Sequence, residues 1–180
     1  MQIFKSLRQT LSGSLSFIKK KSKLFLLLIL FSPTSAFSLT HEEHKFVKDI
    51  KYCLKQIYQT KSNDYIQVDF YIIAAMAVLE SDYGRSRFAI EGNNFFGIRT
   101  FDLSVPHMKP LGYKNPDFGV IKFKHFCGSV QYTLHTLTNH YAYEDFRKYG
   151  NIEDIASWAE DPFYIDKVVQ RINILIENNH

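Results

Sequence analysis

The stretch VLESDYGRSRFAIEGNNFFGI, from Val78 to Ile98, ends an apolar run on one carboxylate, Glu80. The ten residues before Glu80 are nearly all apolar, so we expect its carboxyl to lie at the end of a buried helix. Burial and the negative end of the helix dipole both disfavour the ionised form and should raise the pKa of Glu80. A carboxylic acid that keeps its proton near neutral pH can act as a general acid, for example toward a glycosidic oxygen.

The segment EGNNFFG then supplies groups that a binding groove would need. Asn93 and Asn94 offer amide donors and acceptors, and Tyr83 and Phe96 offer flat faces for sugar rings. Glycine and asparagine are also typical of a helix end followed by a tight turn. Both interpretations hold together if the turn directs the amides into a cleft.

Two other pairs of residues could do chemistry but are less favoured. His125 and Cys127 could share a strand face as base and nucleophile, yet no helix-start signature of thiol peptidases surrounds the cysteine. His41 and His44 could bind a metal, but two ligands in an exposed first helical turn make an incomplete site. We therefore expect no metal and no organic cofactor.

The basic charge of the chain is confined to residues 1–38, which hold six Lys and Arg side chains and no acidic ones. Subtracting these six from 22 leaves 16 basic against 18 acidic side chains, so the folded part should not bind nucleic acid. The lysine cluster, the apolar run 24–31 and the small residues after Pro33 follow the order of a secretion signal. Export to the periplasm or cell envelope is expected, with retention of residues 1–38 as an N-terminal membrane anchor as the alternative.

Residues 39–180 are predicted to form one mainly helical domain. A capping box at Thr40 and Glu43 should start a helix that ends near Thr60, and a helix that is apolar almost all round should follow Asp69. Further helices are predicted after Ser86, from Ser129, over YEDFRKYG, over 152–159, and from Asp161 as N-cap with Pro162 in the first position. The loop-rich segment 96–126 should contain a short strand or hairpin ending in VIKFKHF. Export would permit a disulfide, but the inward position of Cys53 on the first helix favours two separate buried thiols at Cys53 and Cys127.

AAMAVLESDYGRSRFAIEGNNFFGI resembles the signature of the peptidoglycan-active glucosaminidases, a family that includes the Bax-like proteins and the flagellar cell-wall hydrolase domain. IKFKHFCGSVQYTLHTLTNHYAYEDFR, which is closest to the Bax-like branch, and SWAEDPFYIDKVVQRI resemble later segments of the family in the same order. The resemblance covers roughly residues 66–176. It implies a mainly α (α+β), lysozyme-like helical domain with a small β-hairpin lobe beside the substrate cleft.

The resemblance also implies roles for individual residues. Glu80 would be the general acid, and Tyr83, Asn94 and Phe96 would line the cleft. Tyr164 matches a tyrosine of the family's closing segment, and Trp158 stands where many relatives have another tyrosine near the acid. With Asn93, which the residues alone suggest, these are the substrate-binding candidates. Many relatives carry a second carboxylate in a Thr-Glu-Tyr stretch of the hairpin, where this chain has Gly112 before Tyr113. Asp117 is the nearest acid and is the candidate second carboxylate.

These inferences predict an exported, monomeric hydrolase that cleaves β-1,4 bonds of N-acetylglucosamine-containing peptidoglycan strands. Two alternatives stay open: a non-catalytic wall-binding module and a lytic transglycosylase, which breaks the same bond without water. With one assured acid, a water-activating carboxylate, assistance by the substrate N-acetyl group and intramolecular attack are all compatible with the sequence.

Overall fold

The computed structural model of the protein describes residues 38–61, 63–114 and 116–179. The predicted secretion signal or anchor lies outside these residues, apart from Ser38. The described chain is mainly helical with one small antiparallel sheet, which is the α+β architecture expected of a lysozyme-like fold. Within these ranges, no helix combines the length and the apolar character needed to cross a membrane.

Helices occupy every segment in which the sequence predicts one, although some ends differ. The helices are α1 (His41–Thr60), α2 (Phe70–Ser81), α3 (Arg87–Gly92), α4 (Gly128–Asn139), α5 (Glu144–Tyr149) and α6 (Tyr164–Glu177), with 3-10 helices at Tyr141–Tyr143 and Ile152–Trp158. The strands are β1 (Arg99–Thr100), β2 (His107–Met108) and β3 (Gly119–Ile121).

Helix α1 starts with the predicted capping box. The Thr40 hydroxyl accepts a hydrogen bond from the Glu43 N–H (3.3 Å), and the Glu43 carboxylate accepts one from the Thr40 N–H (2.9 Å). The same carboxylate receives a 3.0 Å ion pair from Arg85, which follows α2. Glu43 thus both starts α1 and holds it against the turn that ends α2.

Helix α2 is the central helix of the domain, as predicted. The Asp69 carboxylate accepts a hydrogen bond from the Tyr71 N–H (2.7 Å) and caps its first turn. All residues from Ile73 to Val78 are buried, because α2 packs against both α1 and α6. Burial on all sides explains why its sequence lacks a polar face.

The sheet has the order β1-β3-β2, with both pairs antiparallel. Val120 lies opposite Arg99 on one side and Met108 on the other. The predicted strand VIKFKHF is wrong beyond Ile121, where the chain leaves the sheet. The Phe123 N–H instead donates a hydrogen bond to the Gly92 carbonyl at the end of α3 (2.8 Å), which attaches the sheet to the helical part.

Helix α6 begins two residues later than the predicted start at Pro162. The Asp161 side chain accepts a hydrogen bond from the Phe163 N–H (2.9 Å) and so forms a turn before the helix rather than its N-cap. This shift makes Tyr164 the first residue of α6.

Cys53 and Cys127 form a disulfide with their Cα atoms 5.2 Å apart, so the prediction of two separate thiols is wrong. Cys53 is fully buried on the inward face of α1, as predicted, but that face lies against the start of α4. The bond therefore fixes α1 to the residue that precedes α4.

Candidate active site

The C-terminal end of α2 places Glu80 at the boundary of the core. The buried Ser81 hydroxyl donates a hydrogen bond to the Ala77 carbonyl (2.6 Å) and accepts one from the Gly84 N–H (2.8 Å). Asp82 and Tyr83 then take left-handed backbone conformations, with φ of 51° and 54°. Such a conformation costs an L-residue about 1–2 kcal/mol, so Ser81 helps to stabilise a strained turn directly after Glu80.

Glu80 lies in a groove with a volume of about 720 Å³, which is within the usual range for clefts that bind small ligands or parts of polymers. The walls come from the end of α2 with the loop into β1, one face of α4, and the two 3-10 helices. The lining residues are Glu80, Phe96, Gly97, Ile98, Arg99, Tyr132, His135, Thr136, Asn139, His140, Tyr143, Trp158, Ala159 and Glu160.

Burial raises the pKa of the Glu80 carboxyl above its usual range. Two neighbours oppose this effect: the Tyr164 hydroxyl and, by charge, the Arg99 guanidinium both lower the Glu80 pKa. Burial is the largest of the three effects, so Glu80 holds its proton to a higher pH than an exposed glutamate. A half-buried acid on a groove wall is suited to giving a proton to a bound substrate.

Tyr164 is 3% exposed, and its hydroxyl is directed at the Glu80 carboxyl from the start of α6. Burial and the adjacent Glu80 raise the pKa of Tyr164, so the phenol stays protonated. The two groups interact electrostatically, but within the described residues the Tyr164 hydroxyl makes no full hydrogen bond. The phenol is thus positioned to donate to Glu80 once the carboxyl ionises.

Aromatic rings form one side of the groove. Phe96 and Trp158 meet edge to face with ring centroids 6.2 Å apart, and Tyr143 packs on Trp158 at the same distance. Phe96 and Trp158, both predicted to contact substrate, are thus brought together with Glu80.

Asn93 and Asn94 use their amides within the protein. Asn94 is 1% exposed, and its side chain donates to the Ile98 and Ile121 carbonyls (2.9 Å each) and accepts from the Ile98 N–H (3.0 Å). Asn93 ends α3 in a left-handed conformation and donates to the Phe123 carbonyl (3.1 Å). These contacts fix the loop that carries Phe96 and Gly97, and they favour the structural interpretation of both asparagines.

Tyr83 and Asp117 do not line the groove. Tyr83 is buried beside Phe46, with ring centroids 6.5 Å apart, on the side of the turn that faces α1. Asp117 is exposed in the loop that leads to β3. The structure therefore offers no contact that supports either residue as part of the site.

Three features of the groove were missed by sequence reasoning. Arg99 lies on β1, and Glu160 follows the second 3-10 helix; neither has a local signal that predicts its position. The face of α4 could have been found, because Tyr132, His135, Thr136 and Asn139 recur at helical spacing.

The less favoured pairs gain no support. Cys127 is held in the disulfide and has no free thiol, so it cannot be a nucleophile. His41 and His44 lie in the first turn of α1, and no group of three or more metal-ligating side chains occurs among the described residues.

The family model for Glucosaminidase, described as mannosyl-glycoprotein endo-beta-N-acetylglucosaminidase, matches residues 55–176. The chain belongs to the glucosaminidase family. It is therefore a glycoside hydrolase, an enzyme that acts on a glycan. The matched segment contains Glu80, the loop into β1, α4 and the start of α6, and so it includes every wall of the groove.

A comparison with solved structures finds a chain from "Structure of a type VI secretion system effector-immunity complex from Pseudomonas protegens". The two are 19% identical, with 77% of this glucosaminidase and 92% of that chain covered, and the TM-score is 0.47. A likeness at this level carries no functional argument. A comparison with curated proteins gives no significant match.

Proposed function

We propose that this glucosaminidase is an exported peptidoglycan hydrolase that cleaves β-1,4 glycosidic bonds, with Glu80 as the general acid. The observation that carries the proposal is the partly buried Glu80 carboxyl, with its raised pKa, on the wall of a 720 Å³ groove. The resemblance to the Bax-like branch and family membership support peptidoglycan as the glycan.

Glu80 gives its proton to the glycosidic oxygen as the bond to the sugar breaks. The carboxyl then carries a negative charge, which the Tyr164 phenol and the Arg99 guanidinium stabilise, because both favour the ionised form. Their effect grows as the proton leaves, so it assists proton transfer more than it assists the ground state. The half-buried Trp158 ring provides an apolar face for a sugar, and the buried Phe96 ring supports it edge to face.

A second carboxylate would activate the attacking water. Within the described chain, Glu80 and Glu160 are the carboxylates that line the groove, whereas Asp117 lies outside it. We therefore favour Glu160 over Asp117 for this role. A water-activating Glu160 would make the reaction a hydrolysis; if Glu160 is dispensable, intramolecular attack or assistance by the substrate N-acetyl group is favoured.

Export is supported by the disulfide. Disulfides persist in oxidising compartments such as the periplasm and are rare in the cytosol, and Cys53 is joined to Cys127 in this protein. Cell-wall glycan also lies outside the cytoplasmic membrane, so the proposed substrate and the disulfide are both consistent with the same compartment.

The test is digestion of purified cell-wall sacculi by the wild type and by Glu80→Gln, with the thermal midpoint measured for both. General acid catalysis contributes about 10²–10⁴-fold, so the variant should lose at least about 100-fold in fragment release while remaining folded. Release at the wild-type rate by a folded Glu80→Gln protein would refute the assignment.

The same assay separates the alternatives. A wall-binding module would sediment with sacculi but release no soluble fragment. A lytic transglycosylase would release fragments whose reducing end lacks one water in mass spectra, whereas a hydrolase releases ordinary reducing ends. The masses also identify which of the two alternating linkages is cut.

A further inference from the structure

The groove contains a cation whose charge is not neutralised by a contacting acid. Arg99 lines the groove from β1, and within the described ranges no carboxylate lies within ion-pair distance of its guanidinium. Its backbone is fixed by pairing with Val120 on β3, and its guanidinium lies over the Phe118 ring, 4.9 Å from the centroid. Both the backbone and the guanidinium of Arg99 are therefore held in place, while the side chain stays exposed to an incoming ligand.

Arg99 is also close to Glu80, the proposed general acid. It lies two residues after Gly97, whose Cα is adjacent to Glu80: a Cβ built there would be 3.8 Å from the Glu80 Oε2. Arg99 and Glu80 interact by charge across the same groove. A substrate that places a glycosidic oxygen at Glu80 must therefore place a neighbouring sugar near Arg99.

A neutral sugar offers a guanidinium only uncharged hydrogen-bond acceptors. Polymers made only of N-acetylglucosamine carry hydroxyl and acetamide groups but no charge. A guanidinium binds carboxylates through two parallel hydrogen bonds, which are stronger and more directional than bonds to neutral acceptors. Peptidoglycan strands carry such a group, either the lactyl carboxylate of muramic acid or a carboxylate of the peptide attached to it.

We propose that Arg99 is a specificity-determining residue that binds a carboxylate on the sugar next to the cleaved linkage, so that acidic peptidoglycan strands are preferred over neutral N-acetylglucosamine polymers. This inference rests on the proposed function and names the chemical feature by which the groove recognises its substrate.

The experiment compares the wild type with Arg99→Gln, Arg99→Lys and the control Lys122→Gln. Lys122 is an exposed cation that directly follows β3 and does not line the groove, so the control removes an equal charge beside the sheet but outside the groove. Each protein is assayed for kcat/KM on four substrates: peptide-bearing strands, peptide-free strands with free lactyl carboxylates, peptide-free strands with those carboxylates converted to neutral methylamides, and N-acetylglucosamine oligomers.

Arg99→Gln should lower kcat/KM on carboxylate-bearing strands by about 10- to 100-fold, the worth of a charged hydrogen-bonded pair. On methylamide strands and neutral oligomers the loss should be smaller and the same for both, because there the variant loses only the charge that stabilises ionised Glu80. The loss on carboxylate-bearing strands should exceed this common loss by at least about 10-fold. Arg99→Lys should recover part of the loss, and Lys122→Gln should match wild type throughout. A loss confined to peptide-bearing strands identifies a peptide carboxylate as the ligand, and a loss on peptide-free strands identifies the lactyl group.

Two results would overturn the inference, and they are distinguishable. If Arg99→Gln loses activity equally on all four substrates and its pH profile shifts, Arg99 acts only on the proton of Glu80. That result leaves the proposed function intact. If the wild type releases no fragment from any of the four substrates, the proposed function itself is refuted.

Discussion

The disulfide between Cys53 and Cys127 should contribute a large share of the domain's stability. The two cysteines are 74 residues apart in sequence. In the chain-entropy description, closing a loop of that length lowers the free energy of folding by about 4 kcal/mol. Domains of this size have unfolding free energies of about 5–15 kcal/mol in total. The double variant Cys53→Ala/Cys127→Ala should therefore unfold about 12–16 °C below the oxidised wild type, at roughly 3–4 °C per kcal/mol.

Calorimetry of three samples tests this prediction: the oxidised wild type, the wild type reduced under non-denaturing conditions, and the double variant. The reduced wild type is the matched control, because it keeps both sulfur atoms in the core and loses only the bond. Both bond-free samples should show the same low midpoint within a few degrees. Two free thiols in the denatured, unreduced wild type, or midpoints within about 2 °C across all three samples, would refute the reasoning.

Three further predictions concern the groove. Burial raises the pKa of Glu80, so the wild type is relatively more stable at low pH and loses that stability as the pH rises through the folded-state pKa. The thermal midpoint of Glu80→Gln should therefore exceed that of wild type by more at pH 7 than at pH 4. Equal differences at the two pH values would contradict this prediction. Glu160→Gln should reduce fragment release by about 10²–10⁴-fold if Glu160 activates water, whereas Asp117→Asn should stay near wild type; the reverse order would restore Asp117 as the second carboxylate. Gly97→Ala and Gly150→Ala both place a side chain at positive φ (64° and 70°), and each should cost about 1–2 kcal/mol in stability. Only Gly97→Ala puts its new Cβ beside Glu80. It alone should also lower fragment release, by at least about tenfold beyond the effect of any unfolded fraction.

The elements that sequence predicted well are those whose signals are local. The capping box at Thr40 and Glu43 and the cap at Asp69 each depend on residues within three positions, and both occur as predicted. The all-round apolar character of α2 requires burial on every side, which two neighbouring helices provide. Glu80 could be singled out because it is the polar exception at the end of that run, although its catalytic role stays a prediction.

The parts that sequence could not predict depend on contacts between distant segments. The side-chain amide of Asn94 could serve either a bound sugar or a turn of the backbone. Its hydrogen bonds to the Ile98 and Ile121 carbonyls show that it stabilises the turn. Nothing near Cys53 indicates that α4 begins beside it. Arg99 and Glu160 are ordinary exposed charges in the sequence, and they meet in one groove only because β1 and the second 3-10 helix converge on α4.

If Glu80 is the general acid, the strained and buried groups at the end of α2 serve to set its pKa and its position. A general acid works best when its pKa lies near the operating pH, so burial alone would be harmful if it held the proton too tightly. Tyr164 and Arg99 lower the Glu80 pKa against the larger effect of burial, and the turn held by Ser81 keeps the carboxyl at the boundary where all three effects act. If this balance controls proton donation by Glu80, Tyr164→Phe should shift the high-pH limb of the pH–activity profile to higher pH. It should also lower the maximal rate. The mutation removes the phenol that stabilises the ionised acid while it leaves the ring in the core.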